Sequence, residues 1–385
     1  MRYCAGFDRE NSRNDPENFP MTQIDFAATA QPTPFAILLE NAATPHELGV
    51  YRGVLTPLEL DAPDAETAAL ATGTGCHDLG WLRRVAVRGE DRFRWLSGMV
   101  TNMVNDLPAN TGAWNLVLNA QGRIQGDLTV WREEDGLELE ITADQYERLL
   151  AHLERFIIMD DVELVPLNGE AALGLTGQHA DAVLARVGLP TLAKELTCTR
   201  VEWNGINLRV ERGFGVVAAH YALWAPEAQI GKLWKYLRAA GATPVGSRSF
   251  EAFRIAEGIP AYGIDMVERD LPQETSQIRA LHFSKGCYLG QEIVERIRSR
   301  GNVHKHLRQL ELRGAAPSSG TELKRADGTL AGEIRSAAEL ALSSGARIFA
   351  LAIIRAESEV SSEVFAYTDG AAVGTAVLLS APPSF

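Results

Sequence analysis

Cys287 is the residue of this chain whose neighbours best suit nucleophilic or metal-binding chemistry. Lys285 precedes it by two residues. Apolar residues then recur at intervals of four from Leu289 to Ile297, which predicts an amphipathic helix that begins close to the cysteine. A helix N-terminus and a nearby cation both favour a thiolate over a thiol. The pattern predicts an accessible, activated cysteine, although a small buried hydrophobic role also fits the local sequence.

A basic run follows this cysteine. It comprises Arg296, Arg298, Arg300, His304, Lys305, His306 and Arg308. A solvated helix end and loop is the common meaning of such a run, and a site for the anionic tail of a ligand is the alternative. His282, His304 and His306 could also join the thiolate as ligands of a soft metal. Histidines on loops and strand ends are more often solvated, so we expect no metal site.

Four other charged residues are candidates for binding, each with an ordinary structural explanation. Asp127 ends a turn-rich hairpin corner at 122–127, where turn formation accounts for it. Arg254 and Glu257 lie three residues apart on a predicted helix and could form an exposed ion pair of small worth. Arg248 is a weaker candidate of the same kind. Residue types alone do not raise these four above their structural roles.

Composition excludes several classes of protein. The length of 385 residues predicts two or three domains. The formal charge of −13 argues against a general nucleic-acid binder. It contains no apolar run long enough to span a bilayer. Its four cysteines are scattered without a CxxC pair, so neither a zinc site nor a disulfide framework is expected. We expect a cytoplasmic protein with an acidic, partly disordered N-terminal extension, and Met21 could be the true start.

The predicted elements indicate an α+β architecture. Strand hairpins alternate with amphipathic helices from about residue 85 to residue 165, and the same theme repeats from residue 171 to residue 241. Beyond residue 303 the chain becomes a series of short alternating runs separated by turns, with no strong helix. This order predicts two α+β units followed by a small all-β barrel or sandwich.

The cysteine segment also resembles a known signature. Residues 285–292 read KGCYLGQE, which is similar to the KGCYxGQE motif of the YgfZ family, the folate-binding relatives of the glycine cleavage T protein that support iron–sulfur enzymes. The resemblance extends from about residue 49 onward and includes residues 248–266. It implies two ferredoxin-like α+β units around a central cavity and a C-terminal β-barrel. The implied division is an extension at 1–45, a first unit at 46–165 with 249–303, a second at 166–248, and a barrel at 304–385.

The same resemblance implies a function and a site. It points to a tetrahydrofolate-binding accessory protein in the assembly or repair of iron–sulfur enzymes, with those enzymes or assembly proteins as partners. Cys287 would carry the chemistry, supported by Lys285. The residues implied for folate binding are Asp127, Arg248, Arg254, Glu257, Tyr288, Gln291 and Glu292. Whether the protein catalyses a reaction stays open.

Two alternatives remain from the sequence. A folate-dependent aminomethyltransferase is the first, but T proteins carry two adjacent aspartates where this chain has Gly126 and Asp127. T proteins also place a glutamate after a Gly-Tyr-Thr-Gly run, and the comparable residues 212–216 lack one. Both departures weaken the transferase interpretation and leave folate binding open. The second alternative is a non-catalytic module that docks a partner through the barrel and the basic run.

Overall fold

The computed structural model describes residues 29–40, 46–301, 303–360 and 363–385. Most of the predicted N-terminal extension, including Met21, lies outside these residues. The helices are α1 Pro34–Glu40, α2 Pro63–Thr72, α3 Arg92–Met99, α4 Ala143–Glu154, α5 Ala180–Val187, α6 Ile230–Ala239, α7 Ser247–Ala256 and α8 Gln291–Arg300. Short 3₁₀ turns occur at Glu227–Gln229, Pro272–Thr275, Ile278–Ala280 and Ala356–Ser358.

The strands form a hairpin, a long sheet and a barrel. In chain order they are β1 Leu48–Tyr51, β2 Val54–Pro57, β3 Gly75–Asp78, β4 Leu82–Arg88, β5 Thr111–Leu118, β6 Ile124–Arg132, β7 Leu137–Thr142, β8 Glu163–Leu167, β9 Glu170–Gly177, β10 Thr197–Trp203, β11 Ile206–Arg212, β12 Ala219–Pro226, β13 Thr243–Val245, β14 Lys305–Gly314, β15 Glu322–Lys324, β16 Leu330–Leu340, β17 Arg347–Arg355, β18 Val364–Asp369 and β19 Ala372–Leu378. The protein is therefore mixed α+β, as predicted.

One sheet of 11 strands contains both α+β units. Its order is β13-β3-β9-β12-β11-β10-β5-β6-β7-β4-β8, and the two units meet where Thr197 of β10 pairs with Thr111 of β5. β3 lies in the stretch predicted for the first unit, and its hydrogen bonds join it to β9 and β13, which lie in the stretch predicted for the second. The division into these units stays a prediction.

A buried ionic cluster ties the two halves of this sheet together. The Glu138 carboxylate on β7 accepts hydrogen bonds from Arg84 of β4 and from Arg209 of β11, the latter at 2.9 Å. Arg84 also binds Glu170 at 2.6 Å. Buried charges are stable only when they are paired in this way, so the cluster fixes how the units sit against each other.

The C-terminal strands close into a six-stranded barrel in the order β14-β17-β16-β15-β18-β19, which confirms the predicted barrel. Its interior is filled by alternating apolar residues such as Leu310, Ile334 and Phe365. A separate core lies between barrel and sheet, where Leu307 and Ile353 pack with Leu116, Ile124 and residues of the cysteine segment. This core positions the candidate site.

Candidate functional site

The cysteine segment is a loop fastened to the C-terminal end of α3. The Lys285 Nζ atom donates hydrogen bonds to the backbone oxygens of Ser97, Val100 and Asn102 at 2.8, 2.5 and 2.7 Å. The Leu289 N–H group binds the Gly98 oxygen at 2.9 Å. The last carbonyls of a helix lack partners and carry partial negative charge, which a cation neutralises. Burial lowers the pKa of Lys285 to about 7, and the three oxygens oppose this by favouring the ammonium.

Cys287 lies on this loop with its side chain exposed, while Cys76 and Cys198 are buried. Burial raises the pKa of both buried thiols, that of Cys198 to about 12. The exposure agrees with the predicted accessibility. Helix α8 begins only at Gln291, so the cysteine precedes the helix instead of sitting in its first turn. The Lys285 ammonium is directed at backbone oxygens, and its predicted effect on the thiol stays a prediction.

The other residues of the KGCYxGQE segment build the loop. Tyr288 is buried in the core between sheet and barrel, and burial raises its pKa to about 12. The Gln291 side-chain oxygen accepts the N–H group of Tyr288 at 3.2 Å. Gly290 has φ +80°, and a Cβ atom there would lie 2.5 Å from the Asn119 oxygen, so only glycine fits. Of the eight residues, Cys287 and Glu292 are among those left facing solvent.

Asp127 lies on β6 beside the Trp114 ring. Its carboxylate accepts hydrogen bonds from Trp114 Nε1 at 2.9 Å and from Gln145 Nε2 at 2.7 Å. The Arg279 guanidinium packs over the Trp114 ring at 4.2 Å and over the Phe214 ring at 3.5 Å. Burial raises the pKa of Asp127 against the opposing effect of its hydrogen bonds, and burial lowers the pKa of Arg279 to about 10. The Asp127 carboxylate thus lies beside an aromatic ring on which a flat, delocalised cation stacks.

Glu257 lies at the end of α7 and is 1% exposed. Its Oε1 atom accepts the N–H groups of Val216, Val217 and Ala218 at 3.1, 2.9 and 3.2 Å. Its Oε2 atom lies 2.6 Å from His220 Nε2. Burial acts to raise the pKa of Glu257, but His220 and the N–H groups outweigh it and lower the pKa. The carboxylate therefore holds the loop at 216–218 in place.

The two arginines of the same helix differ in their surroundings. Arg254 is buried between Asp265, at 2.6 Å, and Glu251, at 2.8 Å. Burial acts to lower the pKa of Arg254, and these carboxylates overcome it and raise the pKa. Arg248 is exposed and pairs with Glu59. It also lines a cavity of about 620 Å³ between α7, the β1–β2 hairpin and β16, and Asp127 lies outside the lining of that cavity.

The structure divides the basic run between different surroundings. His306 and Arg308 both bind the Glu359 carboxylate, and Arg298 stacks on Phe283 at 4.2 Å. These four charged residues and Phe283 line a cavity of about 410 Å³. Lys305 faces Asp270 and Glu274 instead, at 3.3 and 3.6 Å. The run is therefore not one uniform surface.

Two searches of the described residues gave negative results. No group of three or more histidine, cysteine or acidic side chains in the described part of the chain is arranged to hold a metal ion. No helix in the same residues has both the length and the apolar character that crossing a membrane requires.

Residues 41–285 match the family of GCVT N-terminal domains. This match covers more than half of the chain, and the chain therefore belongs to the GCVT family. The matched region ends at Lys285, so Cys287 lies just beyond it.

The chain is similar to curated relatives with different names. An aminomethyltransferase of Rubrobacter xylanophilus is 28% identical over 71% of this chain and 75% of its own length. A tRNA-modifying protein YgfZ of Yersinia enterocolitica is 27% identical over 62% of this chain and 72% of its own. A mitochondrial iron-sulfur cluster assembly factor IBA57 homolog of Pyricularia oryzae is 27% identical over 58% of this chain and 54% of its own length. The resemblance to YgfZ within this superfamily is confirmed.

The fold has a solved counterpart. The crystal structure of glycine cleavage system aminomethyltransferase T from Bartonella henselae matches with a TM-score of 0.80 at 18% identity, over 90% of this chain and 96% of that one. This likeness confirms the predicted fold class, and at this identity it concerns the fold alone.

Sequence reasoning missed several residues that the structure brings to the site. Trp114 and Gln145 donate hydrogen bonds to Asp127, Arg279 packs over the Trp114 and Phe214 rings, and His220 partners Glu257. They come from β5, α4, the loop after β11, a 3₁₀ turn and β12. No local motif links positions so far apart in the chain, and only the paired strands place them together.

Proposed function

We propose that this protein is a YgfZ-like, tetrahydrofolate-binding accessory protein in the assembly or repair of iron–sulfur enzymes. The observation that carries the proposal is the exposed Cys287 on a loop that Lys285, Tyr288, Gly290 and Gln291 hold in place. A loop anchored by a half-buried lysine, a buried tyrosine and a glycine of positive φ presents one sulfur to solvent at a fixed position. Thiolates are suited to binding iron and sulfur in transit.

The chemistry proposed for Cys287 is that of a transient ligand or nucleophile. The thiolate would contact iron or sulfur while a cluster is built or repaired on a client enzyme. The clients are then iron–sulfur enzymes or their assembly proteins, which agrees with the name of the IBA57 relative, an iron-sulfur cluster assembly factor. Lys285 would support this role by holding the loop against α3.

The folate site that the contacts favour is centred on Asp127. A reduced pterin is a flat ring with several N–H donors. Such a ring can donate hydrogen bonds to a carboxylate while it stacks on aromatic side chains. Trp114 and Phe214 supply the rings, and the Arg279 guanidinium already packs against both, so the residues present fit such a ligand. When bound, a reduced folate can carry a one-carbon unit. Asp127 would accept hydrogen bonds from N–H groups of the ring, while Arg254 and Glu257 would hold the surrounding backbone in place.

The role of the thiol is tested by a matched pair of variants. Cys287→Ser should abolish rescue of iron–sulfur enzyme activity in a deletion strain, because the accessible sulfur is removed. Cys198→Ser removes a buried thiol and serves as the control, with rescue retained. In the folded wild-type protein a thiol reagent should modify Cys287 first, since the other two described cysteines are buried. Full rescue by Cys287→Ser would refute the proposed chemistry.

The folate site is tested by titration with tetrahydrofolate, followed by the midpoint of thermal unfolding. Binding to the native state should raise the midpoint as ligand increases. Asp127→Asn should weaken binding by about tenfold or more, the worth of a charge-assisted hydrogen bond. Asp135→Asn, in an exposed loop, should bind as wild type does. Absence of any shift in the wild-type protein would count against folate as the ligand.

Aminomethyl transfer is the second candidate, favoured by the similarity to the Rubrobacter aminomethyltransferase. The structure gives a physical reason to rank it lower. A Cβ atom on Gly126 would lie 2.8 Å from Gln145 Oε1 and 2.9 Å from a Leu149 methyl group, so the second aspartate of T proteins would require both side chains to move. Formation of methylene-tetrahydrofolate from an aminomethyl-lipoyl carrier by the purified protein would reverse the ranking.

A further inference from the structure

A cavity of about 350 Å³ lies against the barrel, between β14, β16, β17 and the loop before the 3₁₀ turn at Pro272–Thr275. Four basic side chains line it: Arg269, Lys305, Arg335 and Arg355. Two carboxylates, Glu322 and Glu333, also belong to the lining, and Leu330 and Ile353 give it an apolar wall. Its volume is within the range of small-molecule sites.

Strand alternation separates this cavity from the other basic residues of β14. Successive side chains of a strand point to opposite faces. Lys305 therefore faces this cavity, while His306 and Arg308 line the one beside Phe283. The cations around the barrel cavity come from four different segments, so they converge on it from several directions.

The ion pairs around this cavity are long, and Arg269 lies 3.2 Å from Glu333. Lys305 and Arg335 both lie 3.3 Å from the same oxygen of the buried Asp270. Arg335 lies 3.8 Å from Glu333, and Arg355 lies 3.9 Å from Glu357. Charge-assisted hydrogen bonds between nitrogen and oxygen are normally about 2.7–2.9 Å long. The cations lining the cavity therefore retain unused capacity to donate hydrogen bonds.

Arg335 is a buried cation with one side-chain donor that is not used within the described part of the chain. The residue is 6% exposed, and its Nε atom has no hydrogen-bond partner among the described residues. A buried donor without an acceptor costs free energy. The Nε atom itself is closed off from solvent, so an anion in the cavity would bind Arg335 through its terminal nitrogens, which lie 3.3 Å from Asp270 and 3.8 Å from Glu333.

We propose that this cavity binds the phosphate group of a small organic phosphate, with the organic part against Leu330 and Ile353. A carboxylate is planar and is well served by one arginine fork, whereas the tetrahedral phosphate offers oxygens to donors from several directions. Four cations arranged around one cavity match the second geometry. This inference requires neither the proposed folate site nor the chemistry of Cys287.

The test is calorimetric titration of the full chain with inorganic phosphate and with pyrophosphate, with acetate at matched ionic strength as comparator. Binding of both phosphates to the wild-type protein is expected, with acetate much weaker. The double variant Arg269→Ala/Arg355→Ala removes two largely exposed side chains, 63% and 51% exposed, so the fold should be kept. Its affinity for phosphate should fall by at least about tenfold.

Arg313→Ala, an exposed arginine elsewhere on β14, is the matched control and should bind phosphate as wild type does. Lys305→Met provides an independent loss from inside the cavity. The proposal is overturned if wild type binds neither phosphate, if acetate binds equally well, or if Arg313→Ala loses as much affinity as the double variant. Unchanged thiol reactivity of Cys287 in all variants would show that the barrel cavity was altered alone.

Discussion

Asp127 and Glu257 are two carboxylates assigned to the same folate site from the sequence, and their surroundings in the structure are opposite. Glu257 accepts three backbone N–H groups and faces His220, so each of its oxygens is occupied. Asp127 has one side-chain donor for each oxygen and lies beside the stacked Arg279. The environment accordingly lowers the pKa of Glu257 and raises that of Asp127.

The difference separates a structural carboxylate, Glu257, from a carboxylate that can bind a ligand, Asp127. A fully hydrogen-bonded, buried anion contributes to stability, and removing it leaves its partners without an acceptor. A carboxylate with spare acceptor capacity gains from a ligand with N–H donors. We therefore expect variants of these two residues to divide cleanly between stability and binding.

The largest expected effect is that of Glu257→Gln on stability. The substitution leaves His220 without a carboxylate, and the three N–H groups keep only a neutral carbonyl oxygen as their acceptor. Breaking a buried charged pair of this kind costs roughly 3–5 kcal/mol. Urea denaturation should show the loss as a lower midpoint with an unchanged slope.

Asp127→Asn is the control for this experiment, because it keeps the shape of the side chain and should cost much less than Glu257→Gln. Equal losses in the two variants would contradict the division into a structural and a binding carboxylate. So would tighter folate binding by Glu257→Gln than by wild type.

The sequence predicted the architecture better than the site. The α+β order and the C-terminal barrel followed from periodicity and turns, because those signals are local. The cysteine motif followed from a continuous segment, and Cys287 lies at the surface as expected. The pairing of β3 with β9 and the meeting of Trp114, Phe214 and Arg279 did not follow, because they depend on strand pairings between distant segments.

The next prediction tests why this chain lacks the second aspartate of T proteins. Gly126→Asp should destabilise the protein by about 1–3 kcal/mol, because the new side chain meets Gln145 and Leu149 of α4. Displacing Gln145 also removes its hydrogen bond to Asp127. Urea denaturation measures the loss, and folate titration should show weaker binding.

Gly136→Asp is the matched control, since a Cβ atom at Gly136 would meet nothing within 4 Å. It should change stability by less than about 0.5 kcal/mol. If Gly126→Asp were as stable as this control and gained aminomethyl transfer, the packing around Gly126 would not be the reason that this chain lacks the second aspartate of T proteins.

The smallest expected effects are pH slopes, and they sharpen the comparison because their signs are opposite. The pKa of Glu257 is lowered from about 4.5 by folding, so its contribution to stability is present above pH 4.5 and is lost as pH falls through the lowered pKa. The pKa of Asp127 is raised from 3.8, so its ionised form opposes folding. Its unfavourable contribution therefore grows as pH rises from 3.8 through the raised pKa.

Neither glutamine nor asparagine titrates, so the difference in free energy of unfolding between wild type and each variant isolates one carboxylate. From pH 7 down to pH 3.5, the deficit of Glu257→Gln should shrink below pH 4.5. Over the same range Asp127→Asn should gain on wild type as pH increases, by up to about 1.4 kcal/mol for each unit of pKa shift. A constant offset from altered hydrogen bonds would not change either slope. Slopes of the same sign would mean that folding favours the same protonation state in both carboxylates. The distinction between a structural Glu257 and a ligand-binding Asp127 would then fail.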